Sequence, residues 1–427
     1  MVCHLFLPLK VVDECFETRF TNCIYLHENN KILMSRNVEQ VEIRPIKTVE
    51  CIPDSFAGYL SKEKQRKNET LFGTSHSLVT SRKKSKGKMK LYLVLILVVL
   101  AVAVANKDKE DENLWKSYKQ KFGKKHSPEK EARRKQNFIQ RQRAIEKHNR
   151  ENKEWKMGIN RFTDMSEEKK KAFRGAKMFK NRVRSAEAGT VYPVLDRSLP
   201  TMIDYRRHRC MSPLKVDQGE CGSCWTYAAI LPIEFNSCRK TGTRVSLSEQ
   251  MLVDCDPYNN GCNGGDYTEA WRFIKEKGGA MRSSAYPYVS ATTLTNGTCK
   301  FRSTSVAAKV SSYDWTMPYP NETVSMAHLQ RDGPLATSMK VPDSFFDYAS
   351  GVYSDPACIV ADENDVDHAV VIVGYGATSA TKTLPATRYW IVRNSWGSGW
   401  GMGGYFLIKR GVNMCNIESW TAYVRVV

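Results

Sequence analysis

Residues 218–225 read Gln-Gly-Glu-Cys-Gly-Ser-Cys-Trp, and an apolar stretch with the character of a helix follows them directly. A thiol at the start of a helix lies at the positive end of the backbone dipole, which favours its ionised form. The thiolate is the reactive form of cysteine, and in such surroundings its pKa falls from about 8.5 to as little as ~3.5. We therefore predict that Cys224 is a nucleophile.

A Cys-x-x-Cys pair also fits a zinc half-site or a thioredoxin-like redox pair. A tetrahedral zinc site needs further Cys or His ligands, and Cys255 and Cys262 are too far apart in sequence to form a second tight pair. A redox pair normally follows a strand of a βαβ unit, a pattern that is absent from this sequence. Both interpretations remain open, but they explain fewer residues than a nucleophile does.

An activating imidazole has to come from far along the chain. Residues 366–376 read Val-Asp-His-Ala-Val-Val-Ile-Val-Gly-Tyr-Gly, an apolar run typical of a buried strand that has His368 at its start. Residues 393–401 read Arg-Asn-Ser-Trp-Gly-Ser-Gly-Trp-Gly, and the chain between the two runs is long enough for a hairpin. We expect this hairpin to set Asn394 beside His368, where the amide carbonyl accepts the imidazole N–H and fixes its tautomer.

These motifs, the last of which ends at Gly404-Tyr405, resemble those of the papain family of cysteine proteases in both order and amino-acid sequence. The resemblance implies an α+β fold with a helical lobe, a β-barrel lobe and a cleft between them. It implies a cysteine endopeptidase that acts on proteins or peptides through a thioester, with no cofactor and no metal. Cys224 then attacks the substrate, His368 transfers protons, Asn394 orients His368, Gln218 binds the oxyanion, and Trp396 shelters the His–Asn contact.

The segment before the catalytic motifs resembles the inhibitory propeptide of cathepsin L-like enzymes. Helical periodicity runs from residue 113 to 152, and four residues fall at the spacing of the ERFNIN motif: Arg134, Phe138, Ile145 and Asn149. Lys130 and Arg141 depart from that motif. Residues 158–164, Gly-Ile-Asn-Arg-Phe-Thr-Asp, match the second propeptide motif of the family.

This resemblance implies that residues 106–198 are an inhibitory propeptide and that residues 199–427 are the peptidase domain. The propeptide is expected to run through the cleft in the direction opposite to a substrate. A loop over residues 185–198 is the expected site of the cleavage that releases the enzyme.

The net charge of +20 suggests an anionic partner such as nucleic acid or a membrane surface. However, residues 106–198 carry 27 Lys and Arg against 14 Asp and Glu, whereas residues 199–427 carry 22 against 21. No aromatic stacking motif or zinc-finger spacing accompanies the basic excess. We therefore expect a solvated helical face, or a segment that docks on an acidic surface, and no nucleic-acid partner. Strong, salt-dependent retention on DNA would contradict this interpretation.

Residues 91–105 form the one strongly apolar run, which starts after Lys88-Met89-Lys90 and ends in Ala-Val-Ala. Fifteen residues are few for a membrane span, which needs roughly 20. Residues 89–105 therefore read as a signal peptide, and residues 1–88 remain an unassigned extension, which we interpret as an artefact of gene prediction. The alternative is an uncleaved signal anchor, and only in that case is a membrane partner expected. A secreted zymogen destined for the lysosome or the extracellular space is the favoured interpretation.

Nine of the thirteen cysteines lie after residue 209. Nine cysteines can supply one reactive thiol and four disulfides, as expected of a domain from an oxidising compartment. The family resemblance implies the first three of the following pairs and leaves two cysteines for the fourth: Cys221–Cys262, Cys255–Cys299, Cys358–Cys415 and Cys210–Cys238. Sequons at Asn296 and Asn321 fit the same compartment.

The resemblance also indicates how a substrate is held. Gly264 and Gly265 are expected to pair with the substrate backbone. Four residues are expected to line the pocket for the second residue before the scissile bond, the S2 pocket: Asp266, Tyr267, Ala369 and Trp420. This set predicts a shallower S2 pocket than in cathepsin L, with tolerance of basic residues.

Cystatin-like inhibitors are a further expected class of partner. A non-catalytic relative that keeps the scaffold is the main rival interpretation, and loss of Cys224, His368 or Gln218 would be its signature.

Overall fold

The computed structural model describes residues 75–427 apart from residues 153, 179–198, 216, 318–319, 359–361 and 382–384, and three short strands before residue 75. Side chains are described from residue 98 onward. The chain divides into two compact units, residues 1–105 and residues 106–427. Most of the extension over residues 1–88 and the whole expected release loop over residues 185–198 lie outside the described residues.

In the first unit three strands form a small antiparallel sheet, in which β1 (Ile24–Leu26) pairs with β2 (Ile32–Leu33) and with β3 (Thr48–Glu50). Helix α1 comprises Ser75–Phe122 and includes the apolar run over residues 91–105. Among the described residues no helix is both long enough and apolar enough to cross a membrane.

The second unit contains further helices and strands, which are numbered in chain order. The α-helices are α2 (Pro128–Glu151), α3 (Glu167–Lys171), α4 (Cys224–Thr241), α5 (Glu249–Cys255), α6 (Tyr267–Lys277), α7 (Ser290–Thr293) and α8 (Glu322–Asp332). The strands are β4 (Trp155–Met157), β5 (Ile203–Asp204), β6 (Ala280–Met281), β7 (Val306–Ala308), β8 (Val310–Trp315), β9 (Leu335–Met339), β10 (Tyr348–Tyr353), β11 (His368–Ala377), β12 (Arg388–Arg393), β13 (Tyr405–Lys409) and β14 (Ala422–Val426).

The second unit is organised around one large mixed sheet. Its strand order is β4-β10-β13-β12-β11-β9-β14-β8, and β5 pairs separately with β11. Strand β4 belongs to the predicted propeptide and extends the sheet at β10, with Met157 opposite Tyr348 and Trp155 opposite Gly351. The sheet is joined to the helix-rich segment 224–277, so the expected α+β fold with a helical half and a sheet half is confirmed.

Helix α4 connects the two halves because it is apolar on almost every side. Thirteen of its eighteen residues are buried, and nine of these belong to one hydrophobic cluster with residues of α5, α6 and β11. The helix continues through Pro232 and ends at Gly242, whose φ of +78° is the left-handed conformation that glycine adopts without a steric penalty. This burial fixes the position of its first residue, Cys224.

The predicted propeptide helices pack against each other through an aromatic cluster. Trp115 and Tyr118 of α1 contact Phe138 of α2, at ring centroid distances of 5.5 and 4.5 Å. Asp164, which is fully buried, accepts a hydrogen bond from the Tyr118 hydroxyl (2.7 Å), and its backbone carbonyl accepts one from Arg134 (3.0 Å). The last residue of the second propeptide motif therefore joins the helical hairpin to the segment that follows.

Four disulfides link segments around the helical half and the sheet. They are Cys210–Cys238, Cys221–Cys262, Cys255–Cys299 and Cys358–Cys415. Among the described cysteines Cys224 is the one that is not in a disulfide, and it is buried. The disulfide Cys221–Cys262 lies three residues before this thiol and fixes the loop that leads into α4.

Candidate active site

Cys224 is the first residue of α4, and its side chain has no solvent exposure. The backbone N–H of Ala369, in β11, lies 3.4 Å from the Cys224 sulfur and donates to it. The start of helix α4 and the start of strand β11 are therefore adjacent in space, although 145 residues separate them in sequence. The thiol lies where both the helix dipole and a backbone donor favour its ionised form.

His368 begins β11, and Asn394 follows directly after β12, the antiparallel neighbour of β11. The hairpin brings the imidazole Nε2 to 2.8 Å from the Asn394 Oδ1. An amide oxygen only accepts hydrogen bonds, so this contact places the proton on Nε2 and leaves Nδ1 as the free base in the neutral ring. Nδ1 has no hydrogen-bond partner among the described residues.

Trp396 covers this histidine. Its ring centroid lies 4.8 Å from that of His368, and its face stacks on Phe346 at 4.7 Å with an interplanar angle of 7°. Trp396 is 1% exposed. A buried indole beside the His–Asn contact keeps water away from it, and hydrogen bonds are stronger where water is excluded.

The side chain of Gln218 is oriented by Ser395, a residue for which the sequence predicted no role. The Ser395 hydroxyl donates to Gln218 Oε1 (2.6 Å), which leaves the Nε2 donor on the other side of the amide. Nε2 donates to the backbone carbonyls of Cys221 (2.8 Å) and Phe173 (3.2 Å), and Phe173 belongs to the predicted propeptide. A propeptide carbonyl thus contacts the donor expected to bind the oxyanion. The position of Ser395, between Asn394 and Trp396, was the available sequence signal.

The propeptide crosses the cleft beside the nucleophile as an extended chain. Ala176 forms a parallel bridge with Gly265, in which Gly265 N donates to Gly175 O (2.8 Å) and Lys177 N donates to Gly265 O (3.0 Å). Gly264 has a φ of +107°, and an added Cβ would lie 2.7 Å from Gly175 O, so this position requires glycine. The predicted propeptide therefore runs parallel to the segment at Gly265, and the opposite direction of a substrate stays a prediction.

Burial in the zymogen favours the neutral forms of the two reacting groups. It raises the pKa of the Cys224 thiol to about 12, despite the lowering effect of the backbone donors of Ala369 and Gly175. Burial also lowers the pKa of His368 to about 4, although the contact with Asn394 acts in the opposite direction. Both shifts act against the thiolate–imidazolium pair in the zymogen, because burial desolvates both charged forms.

The four residues expected to line the S2 pocket are all buried, and Tyr267, Ala369 and Trp420 belong to the same hydrophobic cluster as Cys224 and Ala176. The Tyr267 hydroxyl donates to the backbone carbonyl of Trp420. The Asp266 carboxylate accepts hydrogen bonds from the Thr268 backbone (2.7 Å) and hydroxyl (2.8 Å) and caps α6. This carboxylate therefore caps the helix, and the tolerance of basic residues at the pocket stays a prediction.

Arg141, one of the two departures from the ERFNIN motif, binds the peptidase domain. Its guanidinium forms ion pairs with the carboxylates of Asp343 and Asp347. Lys170 adds a second cation 2.5 Å from Asp343 Oδ1. Asp347 is fully buried, and its Oδ1 has no hydrogen-bond partner among the described residues. Burial raises the pKa of Asp347 to about 6, even though Arg141 lowers it.

Replacing Arg141 by asparagine should destabilise the zymogen more at pH 7.5 than at pH 5. The folded pKa of Asp347 lies above its ordinary 3.8, so its titration favours the folded state at low pH and costs stability as the pH rises through about 6. Arg141 offsets that cost only when Asp347 is ionised. We expect a loss on the order of 3 kcal/mol at pH 7.5 and clearly less at pH 5. Thermal midpoints at the two pH values, measured in a Cys224→Ser background to prevent processing, test this.

Arg143→Asn is the matched control, because this arginine lies on the same helix and pairs with Asp111 while its side chain is 47% exposed. Its loss should be small at both pH values, as for other exposed ion pairs. An equal drop for Arg141→Asn at pH 5 and pH 7.5 would refute the role given to Asp347.

Comparisons with known proteins agree with this site. The family model described as papain family cysteine protease matches residues 199–425, and the cathepsin propeptide inhibitor domain matches residues 115–169. The chain is 37% identical to cysteine proteinase 3 of Solanum lycopersicum over 289 residues, which is 67% of this chain and 76% of that protein. It is 35% identical to procathepsin L of Felis catus over 321 residues, or 73% and 92% of the two chains.

Among solved structures, digestive procathepsin L 3 of Tenebrio molitor larval midgut aligns with a TM-score of 0.64 and 30% sequence identity. The alignment covers 74% of this chain and 99% of that chain. The similarity therefore includes both a propeptide and a catalytic domain.

Proposed function

Because this chain belongs to the papain family of cysteine proteases, we propose that Cys224, His368, Asn394 and Gln218 are the residues with which it hydrolyses peptide bonds. The chain is a cysteine endopeptidase made as a zymogen, and its cathepsin-type propeptide is an intramolecular inhibitor. The observation that carries the assignment is the junction of α4 and β11, where the Cys224 sulfur accepts from Ala369 N and His368 contacts Asn394 at 2.8 Å.

The proposed reaction begins when the propeptide leaves and water reaches the cleft. His368 then takes the thiol proton of Cys224, and the thiolate attacks the scissile carbonyl carbon. The oxyanion of the tetrahedral intermediate accepts hydrogen bonds from the Gln218 Nε2 and the Cys224 backbone N–H. Protonated His368 gives its proton to the leaving amine, and a thioester remains on Cys224.

Deacylation uses the same groups. His368 removes a proton from a water molecule that attacks the thioester, and the thiolate of Cys224 leaves. Asn394 holds the imidazole in one orientation through both steps, and Trp396 covers that contact. Ser395 fixes the direction of the Gln218 amide and is a positioning residue.

We propose that residues 106–198 form the propeptide, that residues 199–427 form the peptidase domain, and that the S2 pocket is shallow. Trp420 and Tyr267 fill space at this pocket, and the propeptide places the small residue Ala176 opposite Gly265. Acid-treated zymogen should therefore cleave internally quenched peptides within their sequence and should prefer a small residue at the second position before the cleaved bond.

A positional library of such peptides tests both statements, because the products are identified by mass. An ordinary preference for Leu or Phe at that position would contradict the shallow pocket and leave the endopeptidase assignment intact. Trimming from one terminus only would contradict the endopeptidase assignment.

We further propose that the chain enters the secretory pathway through a signal peptide at residues 89–105 and reaches the lysosome or the extracellular space. The four disulfides support an oxidising compartment. Asn296 is exposed and is the better candidate for a glycan, because Asn321 caps α8 through its side-chain oxygen. Cystatin-like inhibitors are proposed partners of the uncovered cleft. Abundant peptides from residues 1–88 in the native protein would contradict cleavage at this signal.

A further inference from the structure

The propeptide is held on the peptidase domain by a set of ion pairs that share one polarity. Arg161 Nη2 lies 2.5 Å from Asp217 Oδ2, and Lys169 Nζ lies 2.8 Å from Glu220 Oε1. Arg141 and Lys170 pair with the loop over residues 343–347. In each of these pairs the propeptide supplies the cation and the peptidase domain supplies the carboxylate.

The carboxylates form what we call the acidic rim: Asp217, Glu220, Asp343 and Asp347. Within the part of the chain that the structure describes, every ion pair of these four residues is made with the propeptide. Removal of the propeptide therefore takes away the cations that these carboxylates contact. Lys340, a mature-domain lysine in this loop region, is paired with Asp365 at 2.6 Å.

The acidic rim adjoins the catalytic groups. Asp217 precedes Gln218 in the chain, and its carboxylate accepts a hydrogen bond from Gly219 N (2.8 Å). Asp343 and Asp347 lie in the same loop as Phe346, whose ring stacks on Trp396 beside the catalytic histidine. Two parts of the acidic rim are therefore next to residues of the proposed site, Gln218 and Trp396.

Asp347 supplies an independent indication that this surface is shaped for cations. Its side chain is fully buried, one oxygen is paired with the guanidinium of Arg141, and Oδ1 has no hydrogen-bond partner among the described residues. A buried carboxylate with an unpaired acceptor oxygen lowers the stability of the folded protein unless a cationic donor is bound next to it. The site is therefore occupied favourably by Lys or Arg side chains.

The direction of the propeptide identifies which part of a substrate meets the acidic rim. The propeptide is parallel to Gly265 at Ala176, and its rim-binding cations all precede Gly175. A substrate, which runs the opposite way, places its residues after the scissile bond where those cations lie. We propose that the mature enzyme is selective for basic polypeptides, with Lys or Arg in the residues that follow the cleaved bond. This inference rests on the proposed function and names its substrate class.

The test uses two internally quenched peptides that are identical before the cleaved bond. The two residues that follow the cleaved bond are both Lys in one peptide and both Gln in the other. With acid-processed enzyme at low salt, kcat/KM for the Lys peptide should exceed that for the Gln peptide roughly fivefold, the effect of two exposed ion pairs. The ratio should approach one in 0.5 M NaCl, because salt screens exposed charges.

The double variant Glu220→Gln/Asp343→Asn should also lower this ratio towards one, whereas Glu276→Gln should leave it unchanged. Glu276 is an exposed carboxylate on α6 that pairs with Arg272. The salt series on the unmodified enzyme decides the question even if the double variant folds poorly. Equal kcat/KM for both peptides at low salt would overturn the inference while the proposed function stands. Failure to cleave either peptide would overturn the proposed function together with the inference.

Discussion

Replacing Cys224 by serine should abolish peptide hydrolysis, with kcat/KM falling by a factor on the order of 10⁴ or more. The substitution leaves an oxygen where the sulfur accepts from Ala369 N, so the local packing is preserved. A serine hydroxyl has no accessible ionised form beside a single imidazole, whereas the thiol does once the cleft is open. The measurement is kcat/KM on a quenched peptide after removal of the propeptide by an added protease.

Folding of this variant is checked by its thiols and its stability. The processed wild-type enzyme should expose one alkylatable thiol without reduction, and the Cys224→Ser enzyme should expose none, because the other eight cysteines of the domain form disulfides. A thermal midpoint close to that of the wild type shows that the fold is intact. Appreciable activity in the folded variant would exclude Cys224 as the nucleophile.

Replacing Gln218 by alanine should lower kcat by about 10²–10³ and leave KM nearly unchanged, since the lost donor acts on the oxyanion and not on the bound substrate. Its Nε2 already donates to a propeptide carbonyl, Phe173 O, at 3.2 Å. Ser395 holds the amide in this direction, so Ser395→Ala should lower kcat in the same sense but by less.

Gln250→Ala is the control for loss of a buried glutamine. The Gln250 amide donates to Asp254 and Ser290 and connects α5 to the start of α7. Its removal should lower the thermal midpoint without a selective loss of kcat. If Gln218→Ala and Gln250→Ala reduced kcat to the same extent, Gln218 would have a structural role and not the proposed catalytic one.

The catalytic residues could be predicted from the sequence because their positions depend on local sequence patterns. The apolar run of β11 and the shorter run of β12 predict two paired strands, and a hairpin between them can place His368 opposite Asn394. The apolar stretch after residues 218–225 predicts helix α4, which places Cys224 at its start. The order of these motifs then indicated the family and, with it, the α+β fold.

The contacts between propeptide and enzyme were not accessible in the same way. Arg141 was recognisable as a departure from the ERFNIN motif, but its partner Asp347 lies 206 residues later and belongs to no motif. Ion pairs between distant segments depend on the tertiary arrangement, and one sequence contains no periodic signal for them. The hydrogen bonds by which the Asp266 carboxylate caps α6 were likewise not among the expectations from the sequence.

The central claim is that Cys224 is a competent nucleophile that the propeptide covers, and labelling with a thiol-reactive epoxide probe tests it most directly. The zymogen is incubated with the probe before and after acid treatment, and the labelled residue is mapped by mass. We predict no label before treatment, because the Cys224 side chain has no solvent exposure, and a single label on Cys224 once the propeptide is lost and peptidase activity appears. An unlabelled Cys224 after complete loss of the propeptide would contradict the account and would identify the chain as a scaffold that has kept the site without its chemistry.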